Sequence, residues 1–219
     1  MGTSRLRLGL WLLPLLLSGC KPTTSTPPSL PGATHAAVPL RVWVVVDQHF
    51  EQRFGPLDGA GRERINQWLY LAERQFGQTF ERKLALRLVG VGRWTLADGP
   101  TKLRDVFGHQ VPRALPWGSG ADCLIAVASR RDINWGGMSS WPRVLVKAQV
   151  HEPSDMLTTA LLCHEMSHWL GAVDIDDTHL AERSVMNYRD ERSGWVDGRL
   201  AWDTPNRRRM ADKLARWGI

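Results

Sequence analysis

The stretch from about Asp155 to Leu170 constrains this chain more than any other. It reads Asp-Met-Leu-Thr-Thr-Ala-Leu-Leu-Cys-His-Glu-Met-Ser-His-Trp-Leu. Such a run predicts a long, tightly packed helix, with Ser154 or Asp155 as its N-cap and Gly171 at its end. Within it, His164 and His168 stand four residues apart. On a helix they lie about 40° apart around the axis and one turn along it, so both imidazoles can grip one ion. Glu165, next to the first histidine, can face the open position of that ion without binding it. Gly171 permits a left-handed backbone that ends the helix and turns the chain back, which carries Asp174 toward the same point.

Downstream of this turn the sequence continues Ser184-Val185-Met186-Asn187-Tyr188. His164-Glu-x-x-His168-x-x-Gly171-x-x-Asp174 followed by that Met resembles the metzincin clan of zinc metalloproteases. The resemblance is carried by residues 164–188, while the elements before them are compatible but unspecific. It implies one catalytic Zn2+ held by His164, His168 and Asp174, with Glu165 as the general base. It implies Met186 as the apolar floor of a Met-turn, and Tyr188 as a phenol that serves the transition-state oxyanion. Most of the clan has His where this chain has Asp174, and His179 is the competing third ligand. A carboxylate at the zinc makes its water less acidic than three imidazoles would, which predicts a slightly more alkaline activity profile. Asp176 and Asp177 read as turn residues.

The N-terminus reads as an address. Arg5 and Arg7 precede an apolar run from Leu8 to Leu17, too short to span a bilayer, followed by Leu17-Ser18-Gly19-Cys20. The pattern resembles the lipobox of bacterial lipoproteins, which implies cleavage before Cys20 and acylation of that cysteine. Lys21, by resemblance to the diderm sorting rule, implies the outer membrane. Residues 1–19 are then a lipoprotein signal peptide, and residues 20–38 are the lipidated cysteine with a Pro/Thr/Ser-rich tether. Residues 39–219 are left as the metallopeptidase domain. Cys123 and Cys163 remain as a pair. A disulfide between them needs Cα atoms within about 7 Å, and two buried free thiols are the alternative.

Composition excludes several classes. With 43% hydrophobic and 23% charged residues the chain is an ordinary globular protein. Removing Arg5 and Arg7 with the leader lowers the formal charge from +6 to about +4, too small and dispersed to indicate nucleic acid. Arg207-Arg208-Arg209 reads as a solvated face.

Strands are predicted at Leu40–Asp47, Lys83–Trp94, Cys123–Ala128 and Val144–Val150. Helices are predicted over Gly61–Phe76 with Gly77 as cap, over Lys102–Phe107, and over a tail from a Thr204 cap to Trp217. The expected fold is α+β: a metzincin-like two-lobe domain, its twisted mixed sheet and two long helices above the zinc site, its C-terminal lobe irregular and ending in a helix. The Gly-rich stretch Trp135–Trp141 is where a substrate-pairing edge strand is sought, and Asn187–Trp195, with Arg189 and Arg192, is the expected specificity wall. The function implied is hydrolysis of protein or peptide substrates at the cell envelope, with latency imposed, if at all, by a separate inhibitor or activator protein. Rival readings are a catalytically silent envelope lipoprotein that binds a protein or peptidoglycan, and a hydrolase of a non-peptide amide.

Overall fold

The computed structural model describes residues 38–80, 84–99, 101–149, 155–176, 182–187, 195–196 and 199–216. All of them lie within one unit, Ala33–Ile219. The leader, Cys20 and the tether before Val38 fall outside the described residues, as do Asp177, His179, Tyr188, Arg189 and Arg192.

The fold is mixed α/β. Its five-stranded sheet has the order β2-β1-β3-β5-β4, with β1 Val38–Val46, β2 Leu84–Arg93, β3 Cys123–Ala128, β4 Gly137–Ser140 and β5 Arg143–Lys147. The first four strands in that order run parallel, and β4 alone is antiparallel, at the edge against β5. β1 and β3 are nearly continuous apolar runs because both faces of the sheet are covered. Val42, Val44, Cys123, Ile125 and Val127 face one core, and Val45, Leu124, Ala126 and Ala128 face the other. The first core is completed by helices α2 (Ala60–Thr79) and α4 (Met156–Trp169), following the short α1 (Phe50–Phe54). The second is completed by residues 94–111, including the short α3 (Leu103–Asp105) and a π-helical turn Val106–Gln110.

The two long helices are tied at their ends. Asp155 occupies the N-cap position of α4, yet its side chain caps nothing there. Instead its carboxylate accepts from Arg64 Nη1 at 2.6 Å and Trp68 Nε1 at 2.7 Å, both on α2. Gly77 does not end α2, which continues to Thr79. The extra turn places Phe76 and Phe80 against Trp202, with ring centroids 5.5 and 6.2 Å apart, and that packing outweighs the weak helix preference of one glycine. The last helix, α5 (Thr204–Arg216), is capped by Asp203 rather than Thr204: Asn206 N–H donates to Asp203 Oδ1 at 3.0 Å. A small hairpin, β6 (Trp195–Val196) with β7 (Arg199–Leu200), precedes it. Among the described residues no helix is long and apolar enough to cross a membrane.

Cys123 and Cys163 are not bonded to each other. Both are free, buried thiols. Burial pushes Cys123 up to about 12 and Cys163 higher still, so neither offers thiolate at neutral pH. Native protein beginning at Lys21 is therefore expected to give no fast reaction with a thiol reagent, and two modified thiols once denatured. Rapid native labelling of either would contradict this packing.

Candidate functional site

Helix α4 is buried along almost its whole length, and this presents His164 and Glu165 from inside the protein. Its C-terminal end forms a Schellman motif: Ala172 N–H donates to the Ser167 carbonyl and Gly171 N–H to the His168 carbonyl, each at 3.0 Å. Gly171 adopts φ +88°, a left-handed conformation costing a non-glycine residue about 1–2 kcal/mol. This reversal returns the chain onto the helix, where the Ala172 carbonyl lies 3.0 Å from His168 Nδ1. Deeper in, the Val185 carbonyl lies 2.7 Å from His164 Nδ1. Carbonyls only accept, so each Nδ1 carries a proton, and each Nε2 is turned into the site.

Asp174 meets both. Its Oδ1 lies 3.1 Å from His164 Nε2 and 3.3 Å from His168 Nε2. The imidazoles stand edge to face, with centroids 5.1 Å apart. Two donors each about 2.0–2.1 Å from a tetrahedral ion lie roughly 3.3–3.4 Å apart, so Asp174 Oδ1 stands from each imidazole nitrogen at about the spacing of two ligands on one small divalent cation. All three donors lie within 4.8 Å of one another.

The charges agree with that arrangement. Burial presses His164 toward its neutral form, but Asp174, Glu165 and the Val185 carbonyl outweigh it and lift the group to about 9. Burial likewise opposes the charge of His168, and Asp174 with the Ala172 carbonyl still raises it. Hydrogen bonds from the two imidazoles hold Asp174 well below the usual carboxylate range. Protons on the imidazoles thus supply the counter-charge that a divalent ion would supply in their place. Glu165 differs: burial lifts it to about 6, against the pull of His164, His168 and the Ser139 hydroxyl. A carboxyl in that range suits proton transfer near neutral pH.

Asp174 is fixed through both neighbours. Asn206, buried at the start of α5, accepts from Val173 N–H at 2.9 Å and donates to the Val173 carbonyl at 3.0 Å. Its Nδ2 also donates to Asp203 Oδ2 at 2.9 Å, and Asp203 in turn accepts from the Ser184 hydroxyl at 2.7 Å. On the other side Ile175 N–H donates to the Met186 carbonyl at 2.9 Å. Residues 184–187 form a tight turn, closed by Asn187 N–H on the Ser184 carbonyl at 3.2 Å, and Met186 is wholly buried.

A cavity of about 680 Å³ opens over this cluster, lined by Gly136 and by Gly137–Ser139 of the edge strand together with His164, Glu165, His168 and Asp174. The Trp135–Trp141 stretch therefore does contain an edge strand, β4, beside the site. Lys147 N–H donates to the Gly136 carbonyl at 2.7 Å. By antiparallel alternation Met138 and Ser140 also face β5, while Gly137 and Ser139 turn their N–H and C=O groups to the open edge. Gly137 is required by close approach: a Cβ there would meet Glu165 Oε1 and Cγ at 2.8 Å and the Leu145 carbonyl at 2.7 Å.

The sequence reading thus has His164, His168, Asp174 and Glu165 brought together, and Met186 buried in the adjoining turn. Tyr188 and the rival ligand His179 lie outside the described residues. The reading missed Asn206, the Val185 carbonyl and Gly137. Asn206 had only its place beside a helix start as a signal, and Gly137 only its glycine.

No family model matches this sequence, and no curated protein does. Among solved structures 85 chains match; one belongs to a structure of a chaperone–substrate complex, with 14% identity and a TM-score of 0.45. That match covers 68% of this chain and 26% of the other, so this chain spans about a quarter of its length.

Two substitutions separate the parts of the site. For the donor set that His164, His168 and Asp174 would offer zinc, Asn206→Ala is expected to lower affinity for the added ion about 10–100-fold by loosening Asp174. Gly137→Ala is expected to displace Glu165 while leaving affinity for added zinc within about twofold. Competitive zinc titration of the two variants checks the pair, and equal losses of affinity in both would contradict the division.

Proposed function

We propose that this chain is a zinc-dependent peptidase of metzincin type, tethered to the bacterial cell envelope, most specifically the outer membrane, by lipid on Cys20. The observation that carries the reading is the spacing of His164 Nε2, His168 Nε2 and Asp174 Oδ1, with Glu165 against an open edge strand. His164, His168 and Asp174 would hold the ion. When bound, zinc lowers the pKa of a water and polarises a carbonyl.

The chain's own residues do the rest. Glu165 accepts the proton of the attacking water and later delivers it to the leaving amine. The outward N–H and C=O groups of Gly137 and Ser139 pair with an extended substrate and hold its scissile carbonyl over the site, which orients the reactants. Backbone pairing of this kind suits a peptide, and the open groove favours that substrate over a small amide. On the clan's pattern Tyr188 would donate to the oxyanion, and the two-lobe organisation would follow, with β6, β7 and α5 in the lower lobe.

A form from Lys21 to Ile219, loaded with zinc and assayed on a quenched peptide library, tests the reading. Cleavage is expected, abolished by a chelator, restored by zinc and reduced at least 10²-fold by Glu165→Gln. Zinc-loaded protein that cleaves nothing would favour the silent-lipoprotein reading. Cleavage indifferent to chelator would exclude the proposed chemistry.

A further inference from the structure

The starting ends of β1, β3 and β5 form one rim of the sheet, because these neighbouring strands run parallel. Just before β3 the chain makes a tight turn, closed by Ser119 N–H on the Pro116 carbonyl at 3.0 Å, and the side chain of Trp117 on it is fully exposed. The turn is anchored. Asp122, three residues beyond it, accepts from Arg41 N–H at 2.8 Å and from Arg41 Nη2 at 2.8 Å, and its own N–H donates to the Arg41 carbonyl at 2.7 Å.

A second indole shares the rim. Trp141 precedes β5, is half-exposed and stacks edge to face on Trp169; the next residue's carbonyl, on Pro142, accepts from Leu124 N–H at the start of β3. The charge here is positive. Arg143 opens β5, and Arg113 stands four residues before Trp117. Arg113 donates to the Gly108 carbonyl at 3.0 and 2.8 Å, and has no acidic partner among the described residues.

The same rim receives the N-terminal segment, since β1 begins at Val38. About 18 residues separate Cys20 from Val38, a span of at most ~60 Å. A lipid on Cys20 would therefore keep the domain within that span of the bilayer, where even a weak surface contact is populated. Indoles flanked by arginines are the side chains that settle at the headgroup layer.

We propose that this rim is a membrane-contact face: Trp117, with Trp141 on the same rim, enters the headgroup layer of the bilayer that carries the Cys20 lipid, and Arg113 lies against anionic headgroups. This rests on the lipid-anchor part of the proposed function and is independent of the chemistry.

The test uses residues 20–219, coupled through the Cys20 thiol to a maleimide lipid, so that it does not depend on acylation in the cell. Buried Cys123 and Cys163 leave Cys20 as the coupling site. The vesicles contain phosphatidylethanolamine and phosphatidylglycerol with brominated acyl chains, which quench indole at the membrane. One inserted indole among the ten in this form is expected to remove about a tenth of the emission, and a second somewhat more. Trp117→Ala should lose most of that quenching, Arg113→Glu should reduce it, and Tyr70→Phe on α2 should leave it unchanged. Absence of quenching, or equal quenching in Trp117→Ala, would overturn the proposal. The mass of the N-terminal peptide from cell envelopes reads the anchor separately: an unmodified Cys20 with Trp117-dependent quenching would sink the anchor reading and leave the contact face standing.

Discussion

Two hydrogen bonds organise this molecule's candidate site: His164 Nδ1 on the Val185 carbonyl and His168 Nδ1 on the Ala172 carbonyl. Each fixes one ring's tautomer and rotation, and each comes from a different part of the chain. The Ala172 carbonyl arrives by the left-handed turn at Gly171, and the Val185 carbonyl by a turn that Ser184 and Asp203 brace from behind. An imidazole free to rotate could meet Asp174 in many ways. These two meet it in one, with both Nε2 atoms on the same carboxylate oxygen.

The sheet contributes the other wall. Helix α4 packs into the first core, and the cavity over its histidines opens beside the edge where β4 runs antiparallel to β5. Glu165 lies there against Gly137 with no room for a methyl group between them. Glu165, the proposed base, and the strand proposed to bind substrate are thus positioned by a single contact. On the proposed reading this links recognition to catalysis: whatever shifts β4 also shifts Glu165.

Local features were legible in the sequence. Two histidines four apart, a glycine three further on and the apolar runs of β1 and β3 all act through their own neighbours, so spacing reveals them. Long-range features were not. Asn206 grips Val173 across the fold, and nothing near either residue announces it. Gly77 offered a plausible helix end, but Phe80 docking on Trp202 drew α2 onward to Thr79. Asp155 is the N-cap residue of α4, but its carboxylate accepts from Arg64 and Trp68 instead of from the helix's own N–H groups. In each case tertiary contact overrode a sound local preference. Cys123 and Cys163 posed a question of distance, which only the packed core answers.

The central claim is that His164, His168 and Asp174 hold one metal ion. Crystals grown with zinc and measured on both sides of the zinc absorption edge test it most directly. The account predicts one anomalous peak per chain, about 2.0–2.2 Å from His164 Nε2, His168 Nε2 and an Asp174 oxygen. A peak held by His179 in place of Asp174 would contradict the ligand set, and no peak at the two histidines would contradict the site itself.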